Sequence, residues 1–249
     1  MPFATDYMRA EESRIQEAYA KRRSGHLYSR FNPAYLFMVQ EREQRFLTLL
    51  SRHGCVPLEN KMILEVGCGN GDLLRDFIKW GARPQNIAGI ELLPERVAEA
   101  VELCPKGIKI HQGNAAKLQF PDKTFDVVMQ STVFTSILDA RMKEELASEM
   151  CRVLKPDGSI LWYDYHMNNP RNPDVKGVKR REIHALFPKC EIRLQRITLA
   201  PPLARLLAPY SWLLCYLLSK LPWLCTHYIG VIRKIRSNKI PTHPLPAEI

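Results

Sequence analysis

Short apolar runs alternate with helical stretches through the middle of the chain. The apolar runs cover residues 61–66, 86–91, 107–112, 125–130 and 158–165. Amphipathic helical spacing occupies the intervening stretches 72–80, 94–103 and 139–154. Strands that alternate with helices in this way are typical of βαβ units, so the pattern predicts an α/β domain built on a parallel sheet.

Helices are predicted before this alternation. A polar helix is expected over 5–23, and it ends in the basic run Lys21-Arg22-Arg23. A second helix is expected to begin with Asn32 as its N-cap and Pro33 in its first turn, because both residue types favour helix N-termini.

After the alternation, the sequence predicts a helix near 178–187 and two further strands at 190–199 and 226–234. We therefore expect a helical cap or lid over 1–57 and an α/β domain over 58–236. The proline-containing end, 237–249, is expected to be a disordered tail.

One glycine-rich turn stands out in the stretch "ILEVGCGNGDLL", residues 63–74. An apolar strand runs into three alternating glycines, Gly67, Gly69 and Gly71, and a helix follows. Glycines permit a tight turn and a close ligand approach, and the helix N-terminus directs free N–H groups at that ligand. The GxGxG spacing differs from the GxGxxG of a dinucleotide site, and no GK[ST] follows, so a kinase-type P-loop is excluded.

Two acidic residues accompany this turn. Glu65 precedes the first glycine by two positions, and Glu91 ends the next predicted strand. A carboxylate at the end of the second strand is placed to accept both hydroxyls of a ribose. The pattern therefore favours a nucleoside-containing ligand.

Composition narrows the class of protein further. The chain is 46% hydrophobic and 25% charged, as in ordinary globular proteins, and its net charge of +10 favours anionic surroundings. Its seven cysteines are scattered and form no CxxC pair, which predicts no metal site and a reducing, cytoplasmic environment. The N-terminus has early acidic residues and no apolar core, unlike a signal or transit peptide.

Residues 61–165 resemble a class I S-adenosylmethionine-dependent methyltransferase, in the small-molecule branch of that family. Four motifs in order carry the resemblance: "LEVGCGNG", "GIELLPERV", "GNAAKLQFPDKTFDVVMQSTVF" and "CRVLKPDGSILWYDY". The resemblance implies a Rossmann-like seven-stranded sheet in the order 3-2-1-4-5-7-6, with the last strand antiparallel. It also implies S-adenosyl-L-methionine as the cofactor.

The resemblance implies roles for individual residues at the methionine end of the cofactor. Glu65, Gly67, Cys68 and Gly69 would line that end. Gln130, at the end of the fourth strand, would lie close to the reactive sulfonium.

The same resemblance places four residues around the nucleoside. Glu91 would hold the ribose hydroxyls, Leu92 would lie beside the adenine, and Asn114 and Ala115 would lie near the adenine edge. Many members of the family have Asp at the position of Asn114, but an amide can still donate to and accept from adenine.

Segments before the first strand often fold over the cofactor in this family. In the stretch "GHLYSRFNPAYL", Tyr28 and Arg30 would then meet the cofactor's carboxylate, since Arg offers a planar donor fork. The alternative is a loop anchored by Tyr28 and Phe31, and the sequence favours neither.

The acceptor is narrowed mainly by exclusion. The segment after the fourth strand, "MQSTVF", lacks the [DNS]PP[YFW] motif of base-amino methyltransferases, and no cysteine nucleophile stands next to proline there. Basic clusters at 21–23, 179–181 and 233–236 are spread over separate segments, so nucleic acid is not expected. A small molecule or glycan, methylated on oxygen, is the expected acceptor, as in natural-product biosynthesis.

His166 follows the fifth strand in "WYDYHMNNP" and is the candidate general base, because a neutral imidazole at that edge could take a hydroxyl proton. Three alternatives stay open: an N-methyltransferase, a membrane-peripheral enzyme acting on a lipid-linked acceptor, and a catalytically inactive cofactor-binding scaffold.

The most apolar stretch, residues 203–224, is too broken to span a membrane, because Lys220 interrupts it and Pro209 and Pro222 would kink it. The resemblance makes 201–225 a helical insertion between the sixth and seventh strands. It is expected to be a lid over a hydrophobic or anionic acceptor, a packing helix pair, or a peripheral membrane contact. The candidate pocket walls are Tyr210, Trp212, Tyr216 and Trp223.

Overall fold

A computed structural model describes residues 6–21, 26–170 and 172–235. Two helices precede the sheet, α1 (Asp6–Ala20) and α2 (Pro33–Arg52). Asn32 is the N-cap of α2 as predicted, because its side-chain oxygen accepts hydrogen bonds from Ala34 N at 3.0 Å and Tyr35 N at 3.3 Å. Residues 22–25, which include the end of the predicted polar helix, and the predicted tail 237–249 lie outside the described part of the chain.

Seven strands form one sheet. They are β1 (Ile63–Val66), β2 (Ile87–Glu91), β3 (Lys109–Gln112), β4 (Phe125–Ser131), β5 (Leu154–Tyr165), β6 (Cys190–Leu199) and β7 (Cys225–Lys234). The order is β3-β2-β1-β4-β5-β7-β6, which confirms the predicted order. The first five strands run parallel, and β7 pairs antiparallel with both β5 and β6.

Helices connect the strands in the expected places. They are α3 (Asp72–Lys79), α4 (Pro94–Leu103), α5 (Ala140–Val153), α6 (Arg180–Leu186), α7 (Pro201–Leu207) and α8 (Trp212–Ser219). The strand β5 begins four residues earlier than the apolar run at 158, because Leu154 pairs with Phe125 across a bulge. This pairing keeps the polar stretch "KPDG" within the strand, which an apolar pattern does not indicate.

The alternation of side chains along each strand divides the core between the two faces of the sheet. Leu64 and Trp162 pack on the face that carries α5, whereas Ile63 and Leu161 pack on the face that carries α2 and α3. A third buried cluster joins α2 to the α7–α8 connection. It contains Ala34, Phe37, Leu199, Ala204, Ala208 and Cys215.

The register brings the carboxyl ends of three strands together. Val66 of β1 lies opposite Gln130 of β4, and Gln130 lies opposite Trp162 of β5. In an open α/β sheet, ligands bind outside the carboxyl ends of the strands. The fold therefore places the glycine-rich turn, the end of β4 and the end of β5 around one crevice.

Candidate functional site

The turn between β1 and α3 has the backbone conformation that its glycines predict. Gly67, Gly69 and Gly71 have φ angles of 65°, 55° and 79°, all in the left-handed region. A Cβ on Gly67 would come within 2.6 Å of Val133 Cγ2, so any larger residue would force the segment after β4 to move. The turn thus requires glycine both for its conformation and for its packing.

Glu91 holds this turn from the end of β2, and only 7% of the residue is exposed. One carboxylate oxygen accepts a hydrogen bond from Gly69 N at 2.9 Å. The other accepts from Leu92 N at 2.8 Å and Leu93 N at 3.0 Å. The carboxylate is therefore fixed in orientation between the glycine-rich turn and α4, and the oxygen that accepts from Gly69 N retains a lone pair for a further donor.

Two buried polar atoms beside the turn have no hydrogen-bond partner within the described residues. They are Glu65 Oε2, at the end of β1, and Gln130 Nε2, at the end of β4. Gln130 Oε1 accepts from Val133 N at 3.2 Å, which fixes the direction of the amide. A buried polar atom without a partner costs about 1–3 kcal/mol, so these two atoms indicate a site where a ligand supplies the partners.

Burial raises the pKa of Glu65 well above its usual value, and the positive charge of Arg42 offsets only part of that rise. Arg42 comes from α2, and its Nε is also buried without a partner among the described residues. Its guanidinium carbon lies 5.4 Å from the centroid of the Tyr163 ring. A cation and a carboxyl group thus lie near each other at the methionine end of the predicted site, without forming an ion pair.

His227 lies beside Arg42 on the same face of the sheet and is 3% exposed. Its ring stacks on Tyr163 at 4.6 Å between centroids and contacts Tyr165 at 3.7 Å. Burial lowers the pKa of His227 to about 3, with a smaller contribution from the charge of Arg42. This imidazole is therefore neutral at physiological pH and is a weak base.

Sequence reasoning missed Arg42 and His227. Arg42 lies in a helix assigned from its apolar face, and His227 lies within a strand that carries no motif. The only local signal is the alternation along β7, which places His227 on the face opposite to its neighbour Tyr228.

His166 follows β5, as predicted, and is half-buried. Its Nε2 lies 2.9 Å from the carbonyl oxygen of Cys225, and its ring lies 4.6 Å from that of Tyr228. Because a carbonyl only accepts, Nε2 carries the proton in the neutral ring and Nδ1 carries the lone pair. Burial lowers the pKa of His166, which favours this neutral form.

The segment after β4 is strained and tightly held. Thr132 has a φ of 59°, which is rare for a β-branched residue, and its N–H donates to Tyr163 O at 2.8 Å. Three residues later, the backbone and hydroxyl of Thr135 both donate to the fully buried carboxylate of Asp164. Burial raises the pKa of Asp164 to about 7, and hydrogen bonds from Thr135 oppose the rise.

The helix α1 contacts Asn114, which is predicted to lie near the adenine edge. Asn114 Nδ2 donates to Glu12 Oε1 at 2.6 Å, and Asn114 Oδ1 accepts from Ala116 N at 2.8 Å. The Arg96 guanidinium carbon lies 4.7 Å from the centroid of the Tyr19 ring. The Asn114 side chain is thus engaged by the helical cap, an interaction between residues 102 positions apart that the sequence does not indicate.

The remaining predicted residues are distributed around this centre. Leu92 and Ala115 are half-buried beside the core, and Cys68 is buried, with its thiol directed towards Gly89. Burial raises the pKa of Cys68, so its thiol is inert at neutral pH.

Tyr28 and Arg30 lie further out than the other predicted contacts. Tyr28 is 65% exposed, and Arg30 Nη2 lies 4.0 Å from Asp76 Oδ1. The structure therefore groups Glu65, the glycines, Glu91 and Gln130 closely, and it leaves Tyr28 and Arg30 at the periphery.

Within the described ranges, no group of three or more His, Cys, Asp or Glu side chains is arranged to hold a metal ion. No helix in the same ranges is long and apolar enough to cross a bilayer.

Comparison with known proteins gives the class of this domain. Residues 63–158 match a protein-family model that is described as a methyltransferase domain. The predicted resemblance to a methyltransferase is therefore confirmed for residues 63–158, the part of the chain that contains the glycine-rich turn and Glu91.

Two curated relatives share sequence with the same region. The 2-methyl-6-phytyl-1,4-hydroquinone methyltransferase of Synechocystis is 35% identical over 112 residues, which cover 44% of this chain and 33% of the relative. The fatty-acid O-methyltransferase of Mycolicibacterium smegmatis is 35% identical over 116 residues, which cover 43% of this chain and 38% of the relative. The similarity thus spans less than two fifths of either relative.

Solved structures show the same fold. An S-adenosylmethionine-dependent methyltransferase from Mesorhizobium loti superposes with a TM-score of 0.54 over 74% of this chain and 96% of its own, at 16% identity. At this identity the likeness concerns the fold alone.

Proposed function

We propose that this protein transfers a methyl group from S-adenosylmethionine to an oxygen atom of a hydrophobic small molecule or of a glycan or other natural product. The observation that carries the proposal is the pair of unpartnered buried atoms, Glu65 Oε2 and Gln130 Nε2, beside a glycine turn held by Glu91. When bound, S-adenosylmethionine supplies an electrophilic methyl group on a sulfonium. The protein's own task is to bind the cofactor, orient the acceptor and remove its proton.

Each end of the cofactor has a chemically suited partner in this arrangement. We assign Glu91 to the ribose hydroxyls, because its two oxygens are already oriented by three backbone N–H groups. Glu65 suits the amino group of the methionine part, and Gln130, opposite Val66 at the same edge of the sheet, offers an unpartnered amide N–H. Gly67 and Gly69 allow close approach of the ligand to the backbone, with Cys68 between them as a buried filler.

The adenine side is assigned to Leu92, Asn114 and Ala115. The amide N–H of Asn114 already donates to Glu12 of α1. In the proposal, the position of α1 therefore affects whether Asn114 can bind the cofactor. Movement of α1 would release the Asn114 amide for the adenine edge.

For the carboxylate of the methionine part, we propose Arg42 ahead of Tyr28 and Arg30. The guanidinium of Arg42 is near Glu65 and has an unpartnered buried Nε, whereas Arg30 is paired at long range with Asp76. The planar guanidinium can donate two parallel hydrogen bonds to a carboxylate. A ligand oxygen that accepts from the buried Nε would also remove the free-energy cost of leaving that donor without a partner, which favours binding.

His166 is the proposed base, through the lone pair of Nδ1. Its pKa is lowered by burial, so the ring is neutral at pH 7 and can accept a hydroxyl proton. His227 is the weaker candidate, because it is almost completely buried and its pKa is about 3.

The hydrophobic character of the acceptor rests on two kinds of support. Aromatic rings of Tyr163, Tyr165 and His227 stand at the carboxyl end of β5. The names of the two relatives state that one acts on a phytyl hydroquinone and the other on a fatty acid, both of them apolar molecules that carry hydroxyl or carboxyl oxygens.

The test has two stages. Calorimetry with S-adenosylmethionine is expected to show binding that is weakened in Glu65→Gln and Arg42→Gln; unchanged affinity in both variants would overturn the site assignment. Release of S-adenosylhomocysteine is then followed with a long-chain hydroquinone, a fatty acid and an amine of matched chain length. Turnover with the amine alone would replace O-methylation by N-methylation, and cofactor binding without turnover of any acceptor would favour a scaffold.

A further inference from the structure

The helix α8 is apolar around nearly its whole circumference. In "WLLCYLLS", only Cys215 and Ser219 are buried against the protein. Leu213 is 68% exposed and Leu217 is 55% exposed. A helix at the surface of a soluble protein normally presents charged or polar residues to water, so the outer side of α8 has the composition of a covered surface.

Neighbouring elements extend this apolar surface. The residues Phe31, before α2, and Tyr210, between α7 and α8, border the same concave surface and are 97% and 87% exposed. Leu206 of α7 and Trp223, after α8, are 64% and 69% exposed. We call these side chains together the docking face: Phe31, Leu206, Tyr210, Leu213, Leu217 and Trp223.

Positive charges predominate along the segments that form the docking face. The sequence contains no Asp or Glu between residues 192 and 235, and none between 26 and 40. Arg196, Arg205 and Lys220 lie within the first of these stretches. The Lys220 ammonium lies 3.9 Å from the centroid of the Tyr216 ring, next to the exposed leucines of α8. The carboxyl group of Glu41, in α2, lies near Ser219 and Lys220 and is half-buried, whereas α8 itself carries no Asp or Glu. An exposed apolar face with Lys220 beside it complements a surface that is apolar inside and anionic at its boundary.

We propose that the docking face inserts into the interfacial layer of a lipid bilayer that contains anionic lipids. An eight-residue helix is about 12 Å long, so α8 can lie in the interface but cannot span the bilayer. Tyr and Trp side chains prefer the headgroup level, where Tyr210 and Trp223 would lie, and the leucines would reach the acyl chains. A second copy of the chain is a poorer occupant, because a symmetric contact would bring the cations of both copies together.

The inference does not depend on methyl transfer, since it concerns binding in the absence of cofactor and acceptor. If both proposals hold, the bilayer is the reservoir from which an apolar acceptor enters the crevice.

The test is flotation of the full chain with vesicles of phosphatidylcholine alone and of phosphatidylcholine with phosphatidylglycerol. We expect binding to the anionic vesicles, and a loss of roughly tenfold or more in partitioning for the double variant Leu213→Asp/Leu217→Asp, because both the apolar contact and the charge match are reduced. The matched control is Val101→Asp/Leu103→Asp, which alters two exposed apolar residues at the end of α4 and adds the same charge.

The control separates specific docking from general attraction of a protein with a net charge of +10. If the two double variants lose binding equally, the attraction is diffuse and the docking face is wrong. Absence of wild-type binding to anionic vesicles would also overturn the proposal. Analytical ultracentrifugation provides the other discriminating outcome: dimerisation of the wild type that is abolished only by the α8 variant would replace the bilayer by a second copy. Circular dichroism confirms that each variant is folded.

Discussion

The glycine-rich turn and the helix α8 differ in the kind of group that lacks a partner: buried polar atoms at the turn, and exposed apolar side chains on α8. At the turn, Glu91 is buried and gathers three backbone N–H groups, and nearby Glu65 Oε2 is buried without a partner in the described structure. At α8, apolar side chains such as Leu213 are exposed to water and are not covered by other parts of the described structure. The first region is arranged for a small polar ligand whose atoms complete the hydrogen bonds. The second is suited to contact with an extended apolar surface, because apolar contacts do little to fix the orientation of a partner.

This difference predicts how each region responds to substitution. Changes at the turn should alter both ligand affinity and folding stability, because the same atoms serve both. Changes on the outer side of α8 should leave stability almost unchanged, because exposed side chains contribute little to the packed core.

The largest effect is expected for Glu91→Ala. The variant loses the proposed acceptor for ribose hydroxyls, and it leaves Gly69 N, Leu92 N and Leu93 N without their acceptor. We expect S-adenosylmethionine affinity to fall about 100-fold or more by calorimetry, since hydrogen bonds to a charged group contribute about 1.5–3 kcal/mol. Glu95→Ala, an exposed carboxylate in the first turn of α4, is the control and should bind like the wild type. Equal affinity in Glu91→Ala would remove Glu91 from the site.

A smaller loss is expected for Gly67→Ala, measured as the free energy of unfolding. The new Cβ would lie 2.6 Å from Val133 Cγ2, in a backbone conformation that disfavours side chains. We expect destabilisation of about 2 kcal/mol from strain and crowding together.

The matched control for this prediction is Gly54→Ala. Gly54 has a φ of 68°, close to the 65° of Gly67, but a Cβ there would meet nothing within 4 Å. The control should cost about 1 kcal/mol, from backbone strain alone. Equal costs for the two variants would mean that the turn does not pack tightly against the segment after β4.

An intermediate case is Asp164, a buried carboxyl group whose partners come from the protein. Burial raises its pKa to about 7, from 3.8. Between these values the folded state holds a proton that the unfolded state has released, so the stabilising contribution is full below the unfolded pKa and is lost as pH rises through 7. The variant Asp164→Asn lacks this titration, and its destabilisation relative to wild type should be greater by about 1–2 kcal/mol near pH 5 than near pH 8.

Chemical denaturation at the two pH values measures the difference for Asp164→Asn. Exposed Asp157→Asn, in the polar part of β5, is the control for loss of a carboxyl group outside the core. A destabilisation that grows as pH rises would contradict the assigned protonation of Asp164.

The smallest effect is expected for Leu213→Ser on the outer side of α8. Leu213 is 68% exposed, so the free energy of unfolding should change by less than about 0.5 kcal/mol. Ala204→Ser, on α7 in the fully buried cluster with Phe37 and Cys215, is the comparison and should destabilise by about 1–3 kcal/mol, because it buries a hydroxyl group. A large loss in Leu213→Ser would show that α8 is packed more deeply than its exposure indicates.

Local patterns in the sequence determined the sheet and the glycine-rich turn. The periods of apolar residues reflect the geometry of strands and helices, and the positive φ angles at Gly67, Gly69 and Gly71 are a requirement of each residue's own backbone. Such features need no knowledge of distant contacts. The order of the strands followed from the resemblance of four ordered motifs, and the structure confirms it.

Only the tertiary structure decided which side chains meet. Arg42 reaches Tyr163 from a helix 121 positions earlier in the chain, and Asn114 meets Glu12 across 102 positions. The same holds for α8, since an apolar stretch is equally compatible with burial, a pocket wall or an exposed face. The candidate pocket wall Tyr210 is 87% exposed. In α8, Cys215 and Ser219 are buried and Leu218 is partly buried, whereas the other side chains are exposed. Apolar composition reports the tendency of a segment to leave water, but the packing of its neighbours decides whether the protein itself provides the cover.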